Sequence, residues 1–400
     1  MSANDNLSHF RQQVSDWFTE NRPKKPDFIL PDSFMEVGTD AQFHFLRDWQ
    51  QKVYEAGYLG LTWPEVYGGG GQPQIYQDIV DAEMKKQRVP FMVNTIGLNW
   101  AGPLILHSGT EEQKKRYIQK ILSAEEIWAQ GFSEPDHGSD LSNVQLKAVR
   151  DNQDYVLNGS KIWTSLGTYA KHMILLARTD PDKSSRYSGL SFFLSPMDVA
   201  GIDITPIKKI TGEYGFAQTF FQDARIPASC LMGREGEGWT VAMTTLAFER
   251  KAAGGQAGGL MIFELEVADV IEMAKTVMRA GKPAVEDPLI RDQLIQFLIE
   301  ERAMKLNEIR AEVPALVSER PMAIPMSHKL VAGEFRRRLC RFSLSLQGAN
   351  ANRYMGDEYA VDDGFWQRAY LNAFSGTIGG GTSEIQRNIL GERVLGLAKS

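Results

Sequence analysis

The spacing of apolar residues divides this 400-residue chain into three zones. Residues 1–126 have apolar positions every three or four residues, which is the period of helices that pack on one face. Residues 127–236 have short runs rich in β-branched and aromatic residues, separated by turn residues, and these predict antiparallel strands. Residues 237–400 return to the helical period. The pattern therefore predicts an α+β protein with a helical domain, a central β domain and a second helical domain.

The clearest single helix of the first zone is the segment TEEQKKRYIQKILSAEE, which has an acidic start. Its apolar positions at helical spacing are Tyr117, Ile118, Ile121 and Leu122. The third zone has two apolar stripes, which are formed by Leu294, Ile295, Leu298 and Ile299 and by Val331, Phe335, Leu339, Phe342 and Leu346. Both stripes are broad enough to predict faces that are buried in a packed bundle.

Composition excludes several classes of function. The net charge of −6 gives the protein no overall attraction for nucleic acid or anionic lipid, so any bound phosphate needs a local site. The two cysteines, Cys230 and Cys340, fit a reducing compartment, and the histidines have no metal-ligand spacing. The N-terminal segment lacks an apolar signal core and an Arg-rich transit pattern, and no apolar run reaches the length of a membrane span. We therefore expect a cytoplasmic protein with no metal site.

The usual nucleotide-binding and hydrolytic motifs are missing: there is no GxGxxG after a strand, no Walker loop, no HExxH and no GxSxG. Two other segments carry more information. The first is GFSEPDHGSD, from Gly131 to Asp140, with NGSKIWTS further along; the second is GGGTSEIQR, from Gly379 to Arg387. Together with WPEVYGGGG in the first zone and the α–β–α order, they resemble the acyl-CoA dehydrogenase family over essentially the whole chain.

The resemblance implies a fold, a cofactor and a reaction. Family members have an N-terminal helical domain, a central antiparallel β domain and a C-terminal four-helix bundle, which correspond here to residues 1–126, 127–236 and 237–400. They hold FAD between the β domain and the C-terminal helices. Homodimers or homotetramers are usual, because a neighbouring subunit commonly holds the adenosine half of FAD. The implied reaction is α,β-dehydrogenation of an acyl-CoA thioester, with an electron-transfer flavoprotein as the electron acceptor.

The matching positions imply a set of cofactor contacts. Trp163 corresponds to the aromatic residue that lies against the isoalloxazine ring, and the hydroxyls of Thr164 and Ser165 correspond to groups near flavin N5. Thr382, which is also placed to cap a helix, and Glu384 correspond to further FAD contacts. The other implied contacts are Gln130, Phe132, Ser133, Gly138, Ser139, Gln347 and Gly348. The last two lie in QGANAN, which departs from the glycine-rich family pattern.

The catalytic base is where this sequence departs most from the commonest family pattern. That pattern has a glutamate just before Gly-Thr in the C-terminal motif, and here the position is Gly380, which cannot accept a proton. Isovaleryl-CoA and long-chain acyl-CoA dehydrogenases instead have a glutamate before an arginine on an early C-terminal helix, and the segment LAFER matches that place. The resemblance therefore implies Glu249 as the catalytic base, and Arg250, Ser139 and the main chain of Gly380 as substrate contacts.

Three other interpretations stay open. A glycine at position 380 is compatible with a catalytically silent subunit that pairs with an active sister chain. An acyl-CoA oxidase would pass electrons to oxygen, although oxidases tend to be longer chains, and a non-enzymatic helical scaffold would be colourless. The segments WTSLGTYAKH and IGGGTSEIQRNILGER also resemble bacterial members that accept large acyl groups, including steroid side chains and dicarboxylic acids. The sequence leaves the acyl group open.

Overall fold

A computed structural model describes residues 3–181, 187–251, 265–311, 313–317 and 323–398, without the side chains of residues 3, 4, 247 and 249–251. The chain divides into two compact units, residues 1–263 and residues 264–400. The first unit contains helices and a large β-sheet, and the second is mainly helical. None of the helices in the described part of the chain combines the length and the apolarity that crossing a lipid bilayer requires.

The helices at the start of the first unit pack through apolar faces. They are α1 (Ala3–Asn21), α2 (Asp40–Glu55), α3 (Gln74–Lys86), α4 (Gly102–Ser108) and α5 (Glu111–Leu122). The predicted helix is confirmed as α5, which begins with a capping box between Thr110 and Gln113. Its residues Ile118, Ile121 and Leu122 are fully buried. Burial of each such side chain contributes about 1.5–3 kcal/mol to stability.

An eight-stranded sheet forms the centre of the first unit. Its strands are β1 (Trp128–Gly131), β2 (Lys147–Asp151), β3 (Asp154–Ser165), β4 (His172–Arg178), β5 (Leu190–Pro196), β6 (Ile202–Ile207), β7 (Phe216–Pro227) and β8 (Leu231–Met232). Their order is β6-β7-β3-β2-β4-β5-β8, with β1 beside β4. Most pairs are antiparallel, as predicted, but β4 is parallel to both β1 and β2.

The sheet lies between two apolar cores, which explains why β4 is buried along its whole length. Ile174 and Leu176 belong to the core that also contains the N-terminal helices. Met173, Leu175 and Ala177, which point to the opposite face, belong to a second core within the β domain. The helix that follows the sheet, α6 (Gly238–Lys251), packs against β5 and against a short π-helix at Gly97–Ala101.

The second unit has long helices around its own core. They are α7 (Val267–Thr276), α8 (Pro288–Ala311), α9 (Pro314–Val317), α10 (Ala323–Leu346), α11 (Phe365–Ala373) and α12 (Ser383–Ile389), with a small hairpin of β9 (Met278–Arg279) and β10 (Lys282–Pro283). The core prediction for α10 is confirmed for Phe335, Leu339 and Leu346, all of which are buried. Val331, at the start of that stripe, is 40% exposed.

The core prediction for α8 is wrong for most of its stripe. Leu294 is buried, but Ile295, Leu298 and Ile299 are 49%, 39% and 59% exposed. The reason is that α8 has apolar residues nearly all round, so that the side carrying Ile290 and Leu294 faces the core and another apolar side faces outward. Apolar spacing alone does not show which of two apolar sides a helix buries.

Candidate active site

Trp163 has an unusual backbone and an unusual exposure for a tryptophan in a strand. It lies at a bulge of β3, where the pairing with β7 shifts between Lys161 and Thr164. Its φ is +62°, in the left-handed region that costs an L residue about 1–2 kcal/mol. The residue is 55% exposed, and its ring meets the ring of Phe216 edge to face at 5.9 Å. A strained and exposed indole indicates a surface that binds a flat ligand.

The loop that follows β1 runs beside the Trp163 bulge. The N–H of Ile162 donates to the carbonyl of Ser133 at 2.9 Å, and Nζ of Lys161 donates to the carbonyl of Phe132 at 3.0 Å. The Phe132 side chain is buried, and Ser133 is half-buried. Two segments that are predicted to contact the cofactor are therefore in direct contact with each other.

Lys161 and Glu134 form a buried ion pair next to this loop. Lys161 is fully buried, Glu134 is 6% exposed, and Nζ lies 2.9 Å from Oε1. The carboxylate also accepts hydrogen bonds from the backbone N–H groups of Gln145 and Leu146, at 2.6 and 2.8 Å. Burial lowers the pKa of Lys161 to about 8, and the negative charge of Glu134 opposes that change.

Sequence reasoning missed this pair, although β3 contains a signal for it. Side chains of a strand alternate between two faces, and Tyr155 and Leu157 are fully buried. Lys161 belongs to the same odd-numbered series, so the alternation places its side chain inside the protein. A buried lysine needs an anion close by, and the GFSEPDHGSD loop offers three carboxylates, Glu134, Asp136 and Asp140, of which the structure pairs Glu134 with Lys161.

Arg178, at the end of β4, is a second buried cation that sequence reasoning missed. It is 6% exposed, and its guanidinium donates to the carbonyls of Ser142, Val144 and Ser188 at distances of 3.0–3.1 Å. Burial lowers the pKa of this guanidinium, against the effect of Glu134. These hydrogen bonds hold the chain that leads from the GFSEPDHGSD loop into β2.

The side-chain amide of Gln130, in β1, has an unpaired hydrogen-bond donor. Its Nε2 is buried, yet it has no hydrogen-bond partner among the described residues. A buried donor without a partner costs about 1–3 kcal/mol, so an acceptor atom on a ligand would stabilise the site. An isoalloxazine ring has a flat face and acceptor atoms along its pyrimidine edge. The exposed ring of Trp163 and the unpaired amide of Gln130 therefore fit the flavin part of FAD.

Other predicted contacts of the first unit differ in accessibility. Thr164 is fully buried, and its Oγ1 accepts a hydrogen bond from Oγ1 of Thr219 at 3.4 Å. Ser165 is half-buried, whereas Gly138 and Ser139 are exposed. The proposed flavin contacts of these four residues stay predictions.

Glu249, the predicted base, lies near the end of α6, and its side chain and that of Arg250 are outside the described residues. The described side chains of the helix are mostly apolar or buried. Ala242 and Thr245 are fully buried, and Phe248 packs against the core of the N-terminal helices. Phe248, the residue before Glu249, therefore borders an apolar region.

In the second unit, Gly380, Thr382 and Glu384 lie on one turn at the start of α12. Thr382 is the N-cap, as its sequence position indicates, and its Oγ1 accepts from the N–H of Ile385 at 3.2 Å. Gly380 has a φ of +65°, and its carbonyl accepts from Nε2 of Gln386 at 2.9 Å. The side chain of Glu384 is 78% exposed. Contacts of Thr382 and Glu384 with FAD stay predictions.

We expect Gly381→Ala to destabilise this turn by about 1–2 kcal/mol, because a side chain is strained in the left-handed region. Gly381 has a φ of +91°, and a Cβ there would lie 2.9 Å from Nε2 of Gln386. The matched control is Gly379→Ala, since a Cβ at Gly379 meets the carbonyl oxygen of Ser375 at an ordinary 3.4 Å. Thermal unfolding of both variants is the measurement. Equal melting temperatures for the two variants would contradict the left-handed conformation of Gly381.

Gln347 and Gly348 follow the end of α10. Gln347 is 4% exposed; its Oε1 accepts from Nε2 of Gln367 at 3.0 Å, and its own Nε2 lies 3.8 Å from the sulfur of Met273. Gly348 is exposed, with a φ of +58°. The side chain of Gln347 is thus engaged inside its own unit, and cofactor contacts of either residue stay predictions.

Comparison with known proteins identifies the family of this chain. Family models described as the N-terminal, middle and C-terminal domains of acyl-CoA dehydrogenase match residues 30–125, 129–224 and 236–395. The acyl-CoA dehydrogenase IpdE1 of Mycolicibacterium smegmatis is 36% identical over 404 residues, which cover 98% of each chain.

Two solved structures extend the likeness to the fold. The Tcur3481–Tcur3483 steroid ACAD is 27% identical, with a TM-score of 0.79, over 99% of this chain and 98% of that chain. The ChsE4–ChsE5 complex from Mycobacterium tuberculosis is 25% identical, with a TM-score of 0.77, over 100% of both chains. This chain therefore belongs to the acyl-CoA dehydrogenase family, and it is an FAD-containing oxidoreductase that acts on an acyl-CoA.

Proposed function

We propose that this chain converts an acyl-CoA thioester to the trans-2-enoyl-CoA, with Glu249 as the base that takes the α-proton. FAD, when bound, supplies N5 as the acceptor of the β-hydrogen as hydride. The observation that carries the proposal is the exposed and strained Trp163 beside the loop that follows β1, which offers a flat apolar surface to a flavin ring, and the unpaired amide of Gln130 in that strand supports it.

The protein residues have separate tasks in this proposal. Trp163 covers one face of the flavin, and Nε2 of Gln130 donates to its polar edge. The buried Phe132 keeps water away from the base of the loop. Donor N–H groups near the thioester oxygen stabilise the negative charge that develops as the α-proton leaves. Ser139, Arg250 and the main chain of Gly380 stay the predicted substrate contacts.

Two observations support Glu249 as the base. Position 380, where the commonest family pattern has the glutamate, is a glycine on a turn in the left-handed conformation. Glu249 lies on α6 within the segment LAFER, next to Phe248, which packs against an apolar core. In this proposal, bound substrate displaces water from the Glu249 carboxylate and so makes it more basic.

The substrate and the electron acceptor belong to the same proposal. We expect a large acyl group, such as a steroid side chain, because the chain is 27% identical to the Tcur3481–Tcur3483 steroid ACAD over 99% of its length. An electron-transfer flavoprotein is the proposed acceptor, as the family resemblance implies. The cytoplasmic location expected from the sequence stays a prediction.

The test is an anaerobic titration of the purified, FAD-loaded chain with a panel of straight, branched, dicarboxylic and steroid acyl-CoAs. We expect at least one large acyl-CoA to bleach the yellow flavin absorbance and to yield the 2-enoyl-CoA by mass spectrometry. Stoichiometric FAD with no bleaching by any member of the panel would contradict the proposal. A colourless protein that does not take up added FAD would instead indicate a scaffold.

A second candidate function is a silent subunit of a heteromeric dehydrogenase. It is favoured by the glycine at position 380 and by an exposed apolar side of α8, where Ile299 and Ile309 are 59% and 60% exposed. A large exposed apolar side indicates a protein partner. For the active dehydrogenase proposed above, that partner is a second copy of this chain; for a silent subunit, it is a sister chain. Analytical ultracentrifugation of the purified chain, combined with the bleaching assay, distinguishes them: a homo-oligomer with full FAD content that bleaches favours the first, and a monomer that no acyl-CoA bleaches until a sister chain is added favours the second.

A further inference from the structure

The ammonium of Lys161 connects two parts of the candidate flavin site. It donates to the carbonyl of Phe132 at 3.0 Å and to the carboxylate of Glu134 at 2.9 Å. The next residue, Ile162, donates its N–H to the carbonyl of Ser133 at 2.9 Å. The loop that follows β1 is therefore attached to β3 by adjacent residues of that strand, one through its side chain and one through its main chain.

This attachment lies where β3 leaves its regular pairing. Lys161 is paired with Thr219 of β7, and the register then shifts before Thr164 pairs with Ala217. Trp163 is inside this interval and has the left-handed φ of +62°. A bulge interrupts the ladder of backbone hydrogen bonds, and the contacts of Lys161 and Ile162 connect the strand next to the bulge with the loop.

Stability alone is a weak reason for an ion pair at this place. Taking two charges out of water is costly, and well-packed apolar residues of similar volume often stabilise a core as well or better. Unlike an apolar residue, Lys161 holds its two acceptors, the carbonyl of Phe132 and the carboxylate of Glu134, at defined hydrogen-bond distances. Lys161 is fully buried and Glu134 nearly so, and therefore solvent does not compete for these hydrogen bonds.

We propose that Lys161 is a positioning residue for the dehydrogenation: by holding the carbonyl of Phe132, it sets the spacing between that loop and Trp163, and this spacing orients the flavin. The proposal rests on the proposed function, because it assumes that the loop and Trp163 receive FAD. It assigns to Lys161 no contact with the substrate.

The test is Lys161→Met in the full-length, FAD-loaded protein, with Leu157→Ala as the control. Leu157 is a fully buried residue of the same strand that belongs to the core within the β domain, and its truncation is expected to cost about 2–5 kcal/mol. Both variants should lower the melting temperature. Lys161→Met is expected in addition to weaken FAD binding by about tenfold or more, which corresponds to roughly 1.4 kcal/mol. It should also change the visible circular dichroism of bound FAD and slow bleaching by an acyl-CoA without changing the acyl-CoA dissociation constant.

Flavin affinity and circular dichroism within error of the Leu157→Ala values would overturn the proposal, since Lys161 would then act on stability alone. If Lys161→Met does not fold, Lys161→Gln provides the same readouts, because it removes the charge and shortens the side chain. These two flavin measurements need no turnover. A wild-type protein that binds FAD, but whose flavin is not bleached by any acyl-CoA, would contradict the proposed function. The comparison of Lys161→Met with Leu157→Ala would remain valid.

Discussion

In the Glu249→Gln variant, an acyl-CoA substrate is expected to bleach the flavin about 10³-fold more slowly than in the wild type, which is the usual contribution of a positioned general base. The amide has nearly the same shape as the carboxylate but cannot accept the α-proton. The substrate therefore still binds, while the step that breaks the Cα–H bond loses its base. The measurement is anaerobic stopped-flow absorbance of the yellow flavin, with FAD content and acyl-CoA affinity determined on the same preparation.

The matched control for this prediction is Glu237→Gln. Glu237 precedes α6, its side chain is 59% exposed, and its ion pair with Arg234 is long at 3.8 Å. We expect this variant to bleach at the wild-type rate. Bleaching of Glu249→Gln at the same rate as Glu237→Gln would show that the α-proton goes elsewhere. In that case the silent-subunit interpretation gains support only if the wild-type chain is also inactive without a sister chain.

Much of the fold could be predicted from the sequence because it depends on patterns that are local in the chain. The acidic start and the spacing of Ile118, Ile121 and Leu122 are sufficient to predict α5, and the structure adds the capping box of Thr110. The order of helical and strand periods likewise gave the α–β–α arrangement. The parallel pairing of β1 with β4 could not be predicted this way, because it depends on how distant segments meet.

The sequence predicts those site residues that belong to a recognisable motif. It does not predict features that depend on how distant segments pack, such as the backbone conformation of a residue or the burial of a charge. Trp163 was singled out through the WTS motif, but its left-handed φ depends on a register shift against β7, which no spacing in β3 reveals. Lys161 and Arg178 were missed because cations are expected in solvent, and burial becomes visible only when their acceptors are placed. The spacing of residues along the chain does not reveal such contacts between distant segments.

Arg178→Met is expected to be among the most destabilising single substitutions in the β domain, at about 3 kcal/mol or more. The guanidinium donates from three nitrogens to three backbone carbonyls, and it is 6% exposed. Methionine fills part of the volume but donates no hydrogen bond. The carbonyls that are buried in this region therefore lose a charged donor. Hydrogen bonds to charged groups contribute about 1.5–3 kcal/mol each. For a chain of this size we expect the melting temperature to fall by about 5 °C or more.

A surface arginine of the same sheet provides the comparison for this expectation. Arg225, in β7, has a side chain that is 55% exposed, and it pairs with Asp151 at 2.6 Å and with Asp154 at 3.7 Å. Because solvent screens such pairs, Arg225→Met should change the melting temperature little. Arg178→Met should also release FAD more readily, since the bonds to Ser142 and Val144 hold the chain just beyond the GFSEPDHGSD loop. Similar melting temperatures for the two variants would mean that the three carbonyls find other donors, and that Arg178 is not needed to hold the loop.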